Sequence, residues 1–160
     1  MVVAQTPAST LVESGTHSCG EKVMGLRLDW SDHLLLPCEP SSAARARAFA
    51  RSALEDHDLG EVIDEVQLVV SELASNAVVH AKTSFTVSVA GNTTFVLVRV
   101  RDQSAVLPIL RAAAQAGPAT AASLVRMGGR GLVLVDAFAS TWGIDSGRDG
   151  KTVWATFATH

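Results

Sequence analysis

Residues 85–101 constrain the fold more than any other stretch. Phe85, Val87 and Val89 alternate with Thr86 and Ser88, Gly91-Asn92 follows, and the run from Thr94 to Arg101 alternates again. Period-two alternation marks strands with one buried face, and a Gly-Asn pair between two such runs closes them into an antiparallel hairpin. On the return strand Val96, Val98 and Val100 share one side, while Phe95, Leu97, Arg99 and Arg101 share the other. Strict alternation carries Asp102 into the valine row. If that row faces helices, a carboxylate emerges at the mouth of the layer between sheet and helices. There it costs free energy unless something hydrogen-bonds it.

The flanking elements supply such helices. Residues 61–81 carry Val62, Val66, Val69, Val70, Leu73 and Ala77 at three/four spacing, which predicts a long helix with one core face. A preceding helix opens at Pro40-Ser41-Ser42, with Ser41 or Ser42 as its N-cap, and runs to about residue 57 before Asp58-Leu59-Gly60 breaks it. Leu34-Leu35-Leu36 before Pro37 reads as a short edge strand. Further on, a helix over residues 132–138 follows a glycine cluster. Strands over about residues 141–145 and 152–158 close the chain across the turn-prone Ser146-Gly147-Arg148-Asp149-Gly150. Residues 103–127, with a short helix expected at 109–116, read as a lid over a site. The order is strand, helix, helix, strand, strand, lid, helix, strand, strand, with no internal repeat.

The 160 residues suit one domain. Residues 1–25 are rich in Ser, Thr and Gly and read as a disordered tail before a domain spanning residues 26–160, with Met24 a second candidate start. A net charge of -3 and the lack of a Lys/Arg run argue against direct nucleic-acid binding. No apolar run reaches the ~20 residues of a membrane span, and no basic stretch precedes an apolar core at the start. The expectation is a cytoplasmic protein without a membrane segment. Cys19 and Cys38 are then reduced thiols rather than a disulfide. His17, Cys19, His33 and Cys38 match no paired zinc-ligand spacing.

Three polar islands bear on function. Glu72 and Asn76 lie four residues apart, about 40° offset around one helix. Asn is a poor residue inside a helix rich in Val, Leu and Ala, because its amide competes for the backbone. As a functional pair, Asn76 supplies an oxygen to Mg²⁺ and touches nucleotide phosphates, and Glu72 orients or deprotonates the nucleophile that attacks the γ-phosphate. The competing reading is a solvated polar stripe. Asp102 is either an acceptor for an exocyclic amine, selecting adenine, or an ordinary turn carboxylate. Gly128-Gly129-Arg130-Gly131 is either a phosphate cradle at a helix N-terminus or a flexible hinge. It is no dinucleotide fingerprint, since Leu134 stands where the third glycine belongs, and no P-loop occurs. His80 closes its helix, favoured there by the C-terminal dipole. Trp142 and Trp154 read as core residues. His57 and Ser104 lack the neighbours that catalysis needs.

In order and spacing these islands resemble the GHKL ATPase superfamily of gyrase, histidine kinases and MutL. Within it they are most similar to small actinobacterial anti-sigma-factor serine/threonine kinases and single-domain ATP-binding regulators. Glu72-x-x-x-Asn76-Ala-x-x-His80 resembles the N box, Val100-Arg101-Asp102 the strand of the G1 box, and Gly129-Arg130-Gly131-Leu132 the G2 box. Trp142-Gly143 and Gly150-Lys151-Thr152-Val153-Trp154 resemble the closing strands. The likeness spans about residues 32–158. It implies an α+β fold, a two-layer sandwich whose mixed, mostly antiparallel sheet bears helices on one face, with ATP beneath a lid. It implies Glu72 as general base, Asn76 as the magnesium ligand and Asp102 on the adenine amine. Gly128, Gly129, Arg130, Gly131, Leu132 and Thr152 complete the implied nucleotide site. The implied partners are a sigma factor and an anti-anti-sigma (STAS-type) protein phosphorylated on Ser or Thr, and the family often forms homodimers. The rival function is a regulator that senses ATP or ADP and sequesters its partner without phosphorylating it. Two departures stand out: Gln103-Ser104-Ala105 replaces the glycines usual after Asp102, and Lys151 follows Gly150 where Thr is common. Thr152 is the nearest hydroxyl left to support the adenine contact, although alternation sends it to the opposite face.

Overall fold

The computed structural model describes residues 21–23, 25–104 and 130–160. Strands β1 (Glu21–Val23), β2 (Leu26–Leu28) and β3 (Trp30–Leu36) come first, followed by α1 (Ser42–Asp56) and a 3-10 turn (Gly60–Val62). Helix α2 (Ile63–Asn76) continues into a π-helical turn (Ala77–Ala81), then β4 (Phe85–Gly91) and β5 (Phe95–Asp102). Helix α3 (Arg130–Phe138), β6 (Thr141–Gly147) and β7 (Gly150–Ala158) complete the described chain. The expected helix at 109–116, most of the lid, Cys19 and Met24 lie outside the described residues.

The main sheet has the order β3-β4-β5-β7-β6, and each pairing is antiparallel. This agrees with the mostly antiparallel sheet that the family resemblance implied, and the connections explain it. Two helices separate β3 from β4, so the chain returns to the end of the sheet it left, and Leu36 pairs with Phe85. The β4–β5 hairpin forms as its alternation predicts, with the Asn92 carboxamide oxygen accepting the Thr94 and Phe95 N–H groups at 2.8 and 3.2 Å. The edge strand is four residues longer at its start than the leucine run suggested, reaching back to Trp30.

One face of this sheet carries the helices. Phe85, Val87, Val89, Val96, Val98, Val100, Ala155 and Phe157 form one apolar cluster with Val66, Val69, Val70 and Leu73 of α2. Each such aliphatic side chain contributes about 1.5–3 kcal/mol by leaving water. Helix α2 is central: it packs on β4, β5 and β7 and is flanked by α1 on one side and α3 on the other. Helix α1 ends as its sequence suggests, by an identifiable device. Asp58 adopts a left-handed φ of 57°, and the N–H groups of Asp58 and Leu59 return to Glu55 and Leu54. Its start differs from expectation. Ser41 holds the cap position without a side-chain cap, while the buried Ser42 hydroxyl donates to the Pro37 carbonyl at 2.7 Å.

On the other face, Leu97 and Ala90 are fully buried, β2 packs against β4, and Leu28 is buried with them. The N-terminal stretch read as a tail therefore includes a paired segment, Glu21–Val23 against Leu26–Leu28. Trp154 also lies on this face. It is registered opposite Arg99, which belongs to the other row from the core valines, so it is half-buried rather than part of the helix-side core. Trp142 is a core residue, its indole N–H donating to Asp136 of α3 at 2.9 Å. Among the described residues no helix is long and apolar enough to cross a membrane.

Candidate functional site

Strand pairing and helix direction assign each polar island to an end of the molecule. Asp102 pairs with Phe85 on one side and Lys151 on the other, so the end of β5 and the starts of β4 and β7 lie together. Helix α2 reaches that same end. Its N-terminal side lies at the far end, where Glu61 accepts the His160 N–H at 2.7 Å. Its π-helical continuation touches β5, and three residues later the chain enters β4 opposite Asp102. Thr83 in that link accepts the Gln103 N–H at 3.3 Å. Helix α3 runs the opposite way. Ser140, just after it, donates its N–H to Thr156 near the far end, so the first turn of α3 points back toward Asp102 and Lys151.

Rotation around α2 places the polar pair. At 100° per residue, Gln67 projects on the α1 flank, where its amide donates to the Arg47 carbonyl at 3.2 Å. Glu72 and Asn76 project from the opposite flank, the one α3 covers. Both are half-buried, and no hydrogen bond joins either side chain to another described residue. Asn76 is the last α-helical residue before the helix widens into the π-helical turn, a feature concentrated at functional sites. Asn76 offers one carboxamide oxygen, a sparse protein contribution. That suits Mg²⁺, which keeps most of its shell as water and phosphate oxygen, and it does not suit a cage-building cation. Among the described residues no group of three His, Cys, Asp or Glu side chains assembles as a metal site.

Asp102 is 3% exposed and continues the Val96, Val98 and Val100 row on the helix side, as alternation requires. One carboxylate oxygen accepts the Ser104 N–H at 2.8 Å. The other lies 2.8 Å from Lys151 Nζ, and both side chains are nine-tenths buried or more. Sequence reasoning noted Lys151 as a departure without pairing it to Asp102. The pairing depends on β7 beginning at Gly150, two residues earlier than its apolar pattern suggests, and only the long-range register reveals that. Thr152 pairs with Arg101 and so belongs to the other face of the sheet, away from Asp102. Leu132 is 1% exposed within the apolar core, leaving only its backbone for a ligand. Arg130 and Gly131 open α3, whereas Gly128 and Gly129 lie outside the described residues.

Gly150 is what lets β7 start there. Its φ of 137° is open to glycine alone, and a Cβ would overlap the Asp102 carbonyl oxygen and come within 3.0 Å of Gln103 Cα. A separate cavity of about 220 Å³ lies at the far end, lined by Asp29, Trp30, His57, Leu59, Asn92 and Thr93. There Trp30 stacks on His57 with ring centroids 4.0 Å apart, so that histidine serves packing. The cavity shares no residue with the site.

At the near end of the layer Asp102 and Lys151 stand side by side on β5 and β7, and the last turns of α2 bring Glu72 and Asn76 to the same end. A solved structure described as the RsbU and RsbW domains of Rv1364c from Mycobacterium tuberculosis superposes with a TM-score of 0.55 at 22% identity. It covers 80% of this chain but only 32% of that one, so the chain spans about a third of that protein's length and the likeness is one of fold. No curated protein matches. The histidine kinase-like ATPase domain matches residues 36–157, which include Glu72, Asn76, Asp102 and Lys151 alike, and the chain belongs to that family, the GHKL ATPases.

Proposed function

We propose that this chain is an ATP-binding regulator of the anti-sigma-factor type that phosphorylates Ser or Thr on an anti-anti-sigma partner. The observation that carries the reading is the placement of Glu72, Asn76, the first turn of α3 and Asp102 at one end of the helix–sheet layer. In this reading Asp102 accepts a hydrogen bond from the adenine amine, and the N–H groups and positive dipole end of α3 hold phosphate oxygens, with Arg130 adding charge. Asn76 contributes its carboxamide oxygen. Mg²⁺, when bound, neutralises the triphosphate and orients it. Glu72 takes the proton from the partner's hydroxyl. That oxygen forms a bond to the γ-phosphorus as the bond to the β,γ-bridging oxygen breaks, and ADP leaves with the electron pair. The cytoplasm, where sigma factors act, is the compartment this reading requires.

One observation favours a second reading. Asp102 leads into Gln103-Ser104 instead of glycines, and a buried ammonium already sits against it. A chain of this kind binds nucleotide to change its grip on a partner and transfers nothing.

Calorimetric titration with Mg-ATP, followed by incubation with labelled ATP and a STAS-type partner, tests both readings. Transfer in the parent chain and its loss in Glu72→Ala, with ATP affinity held within a few fold, supports the kinase. Transfer that survives Glu72→Ala removes that residue's role, and binding without any transfer leaves the sensing module.

A further inference from the structure

Lys151 is a buried ammonium with more donors than partners. Its Nζ stands 2.8 Å from Asp102 Oδ2, and its side chain is 10% exposed. No further hydrogen-bond partner for this buried nitrogen is present among the described residues. The distance establishes the charge contact, and that one carboxylate oxygen can occupy only part of the ammonium's donor capacity. An ammonium carries three donors and no acceptor, and a buried donor without a partner costs about 1–3 kcal/mol. Asp102 differs: one oxygen is already held by Ser104 N–H. The pair therefore presents, side by side on the helix-facing surface of β5 and β7, an ammonium with donors to spare next to a carboxylate acceptor.

Resting on the nucleotide reading above, we propose that Lys151 is a second base-reading residue: its ammonium donates to ring nitrogen N1 of adenine while Asp102 accepts from the N6 amine. Adenine offers a donor and an acceptor side by side on its Watson–Crick edge, the N6 amine and ring nitrogen N1, both attached to C6. The cross-strand pair Asp102 and Lys151 offers the complementary acceptor and donor from directly opposed positions. Binding then supplies an acceptor for a further Lys151 donor, and the base does not have to displace the ammonium from Asp102. Lys151 is thus a specificity-determining residue of the site. Gly150 places it by allowing β7 to start against the end of β5.

The test compares Mg-ATP with the Mg complex of 1-deaza-ATP, in which N1 is replaced by C–H, by calorimetry on the parent chain and on Lys151→Met. The parent chain should bind 1-deaza-ATP roughly ten- to a hundredfold more weakly, as expected for a charge-assisted hydrogen bond. Lys151→Met should bind ATP at about that reduced level and no longer distinguish the two nucleotides. Equal affinity of the parent chain for both overturns the proposal, and that arm stands even if Lys151→Met does not fold. Tighter ATP binding by Lys151→Met also overturns it, making Lys151 a competitor for Asp102. GTP presents its acceptor and donor in the reverse order, so a parent chain that prefers GTP overturns the N1 assignment. A parent chain that binds no Mg-nucleotide overturns this inference and the nucleotide reading together, whereas ATP binding without N1 dependence removes this inference alone.

Discussion

Gly150→Ala should damage stability and site together, and Gly147→Ala, three residues away, should do neither. Gly150 has φ of 137°, where an L-residue is strained by about 1–3 kcal/mol. Its Cβ would overlap the backbone oxygen of Asp102 and approach Gln103 Cα to 3.0 Å. The offending atoms are main chain, so no rotamer change relieves them, and overpacking of this kind adds about 1–3 kcal/mol. The sum centres on roughly 4 kcal/mol, which for a chain of this size lowers the melting temperature by roughly 8–16 °C. The chain's escape is to move β7 away from β5, which separates Lys151 from Asp102. Mg-ATP affinity should therefore fall even at temperatures where circular dichroism reports full secondary structure. A Cβ on Gly147, the residue paired with Gly150 across the hairpin, meets nothing within 4 Å. Thermal melts and ATP titrations of both variants check this. A Gly150→Ala chain that matches Gly147→Ala in both measurements would refute the view that this glycine fixes the β5–β7 register.

Three further outcomes are expected. Asn76→Ala should abolish Mg-ATP binding while leaving the melting temperature within a few degrees, because the side chain is half-buried and bonded to no described residue; unchanged affinity removes its magnesium role. Asp102→Asn should lower the preference for ATP over GTP, measured by competition titration, since an amide can offer a donor as well as an acceptor. It should also cost stability, because Lys151 loses a buried counter-charge. Gly143→Ala should destabilise by about 1–3 kcal/mol in urea titrations, because its Cβ would lie 2.6 Å from the Trp154 ring, which is packed over that glycine.

Local periodicity carried most of the architecture into the sequence. Alternation in residues 85–101 foretold the hairpin, the buried valine row and the side of the sheet from which Asp102 emerges, because side-chain direction in a strand depends only on parity. Three/four spacing similarly foretold the core face of α2. Legibility ended where neighbours far apart in sequence decide the outcome. The widening of α2 at Ala77–Ala81 leaves no residue signature, since it is a choice of backbone hydrogen bonds made under tertiary constraint. The same holds for β7. Its apolar pattern begins after Lys151, so the strand looked shorter than it is, and Thr152 stood out as the polar residue near the site. The real start is set by Gly150 closing against the backbone at Asp102, a contact across nearly fifty residues. Parity then does the rest: once Gly150 is in place, Lys151 must face the helices beside Asp102, while Thr152 and Trp154 must face away. A carboxylate and an ammonium buried together at the mouth of an otherwise apolar layer are costly to keep there. On the proposal above, adenine would supply the further acceptor that offsets part of that cost.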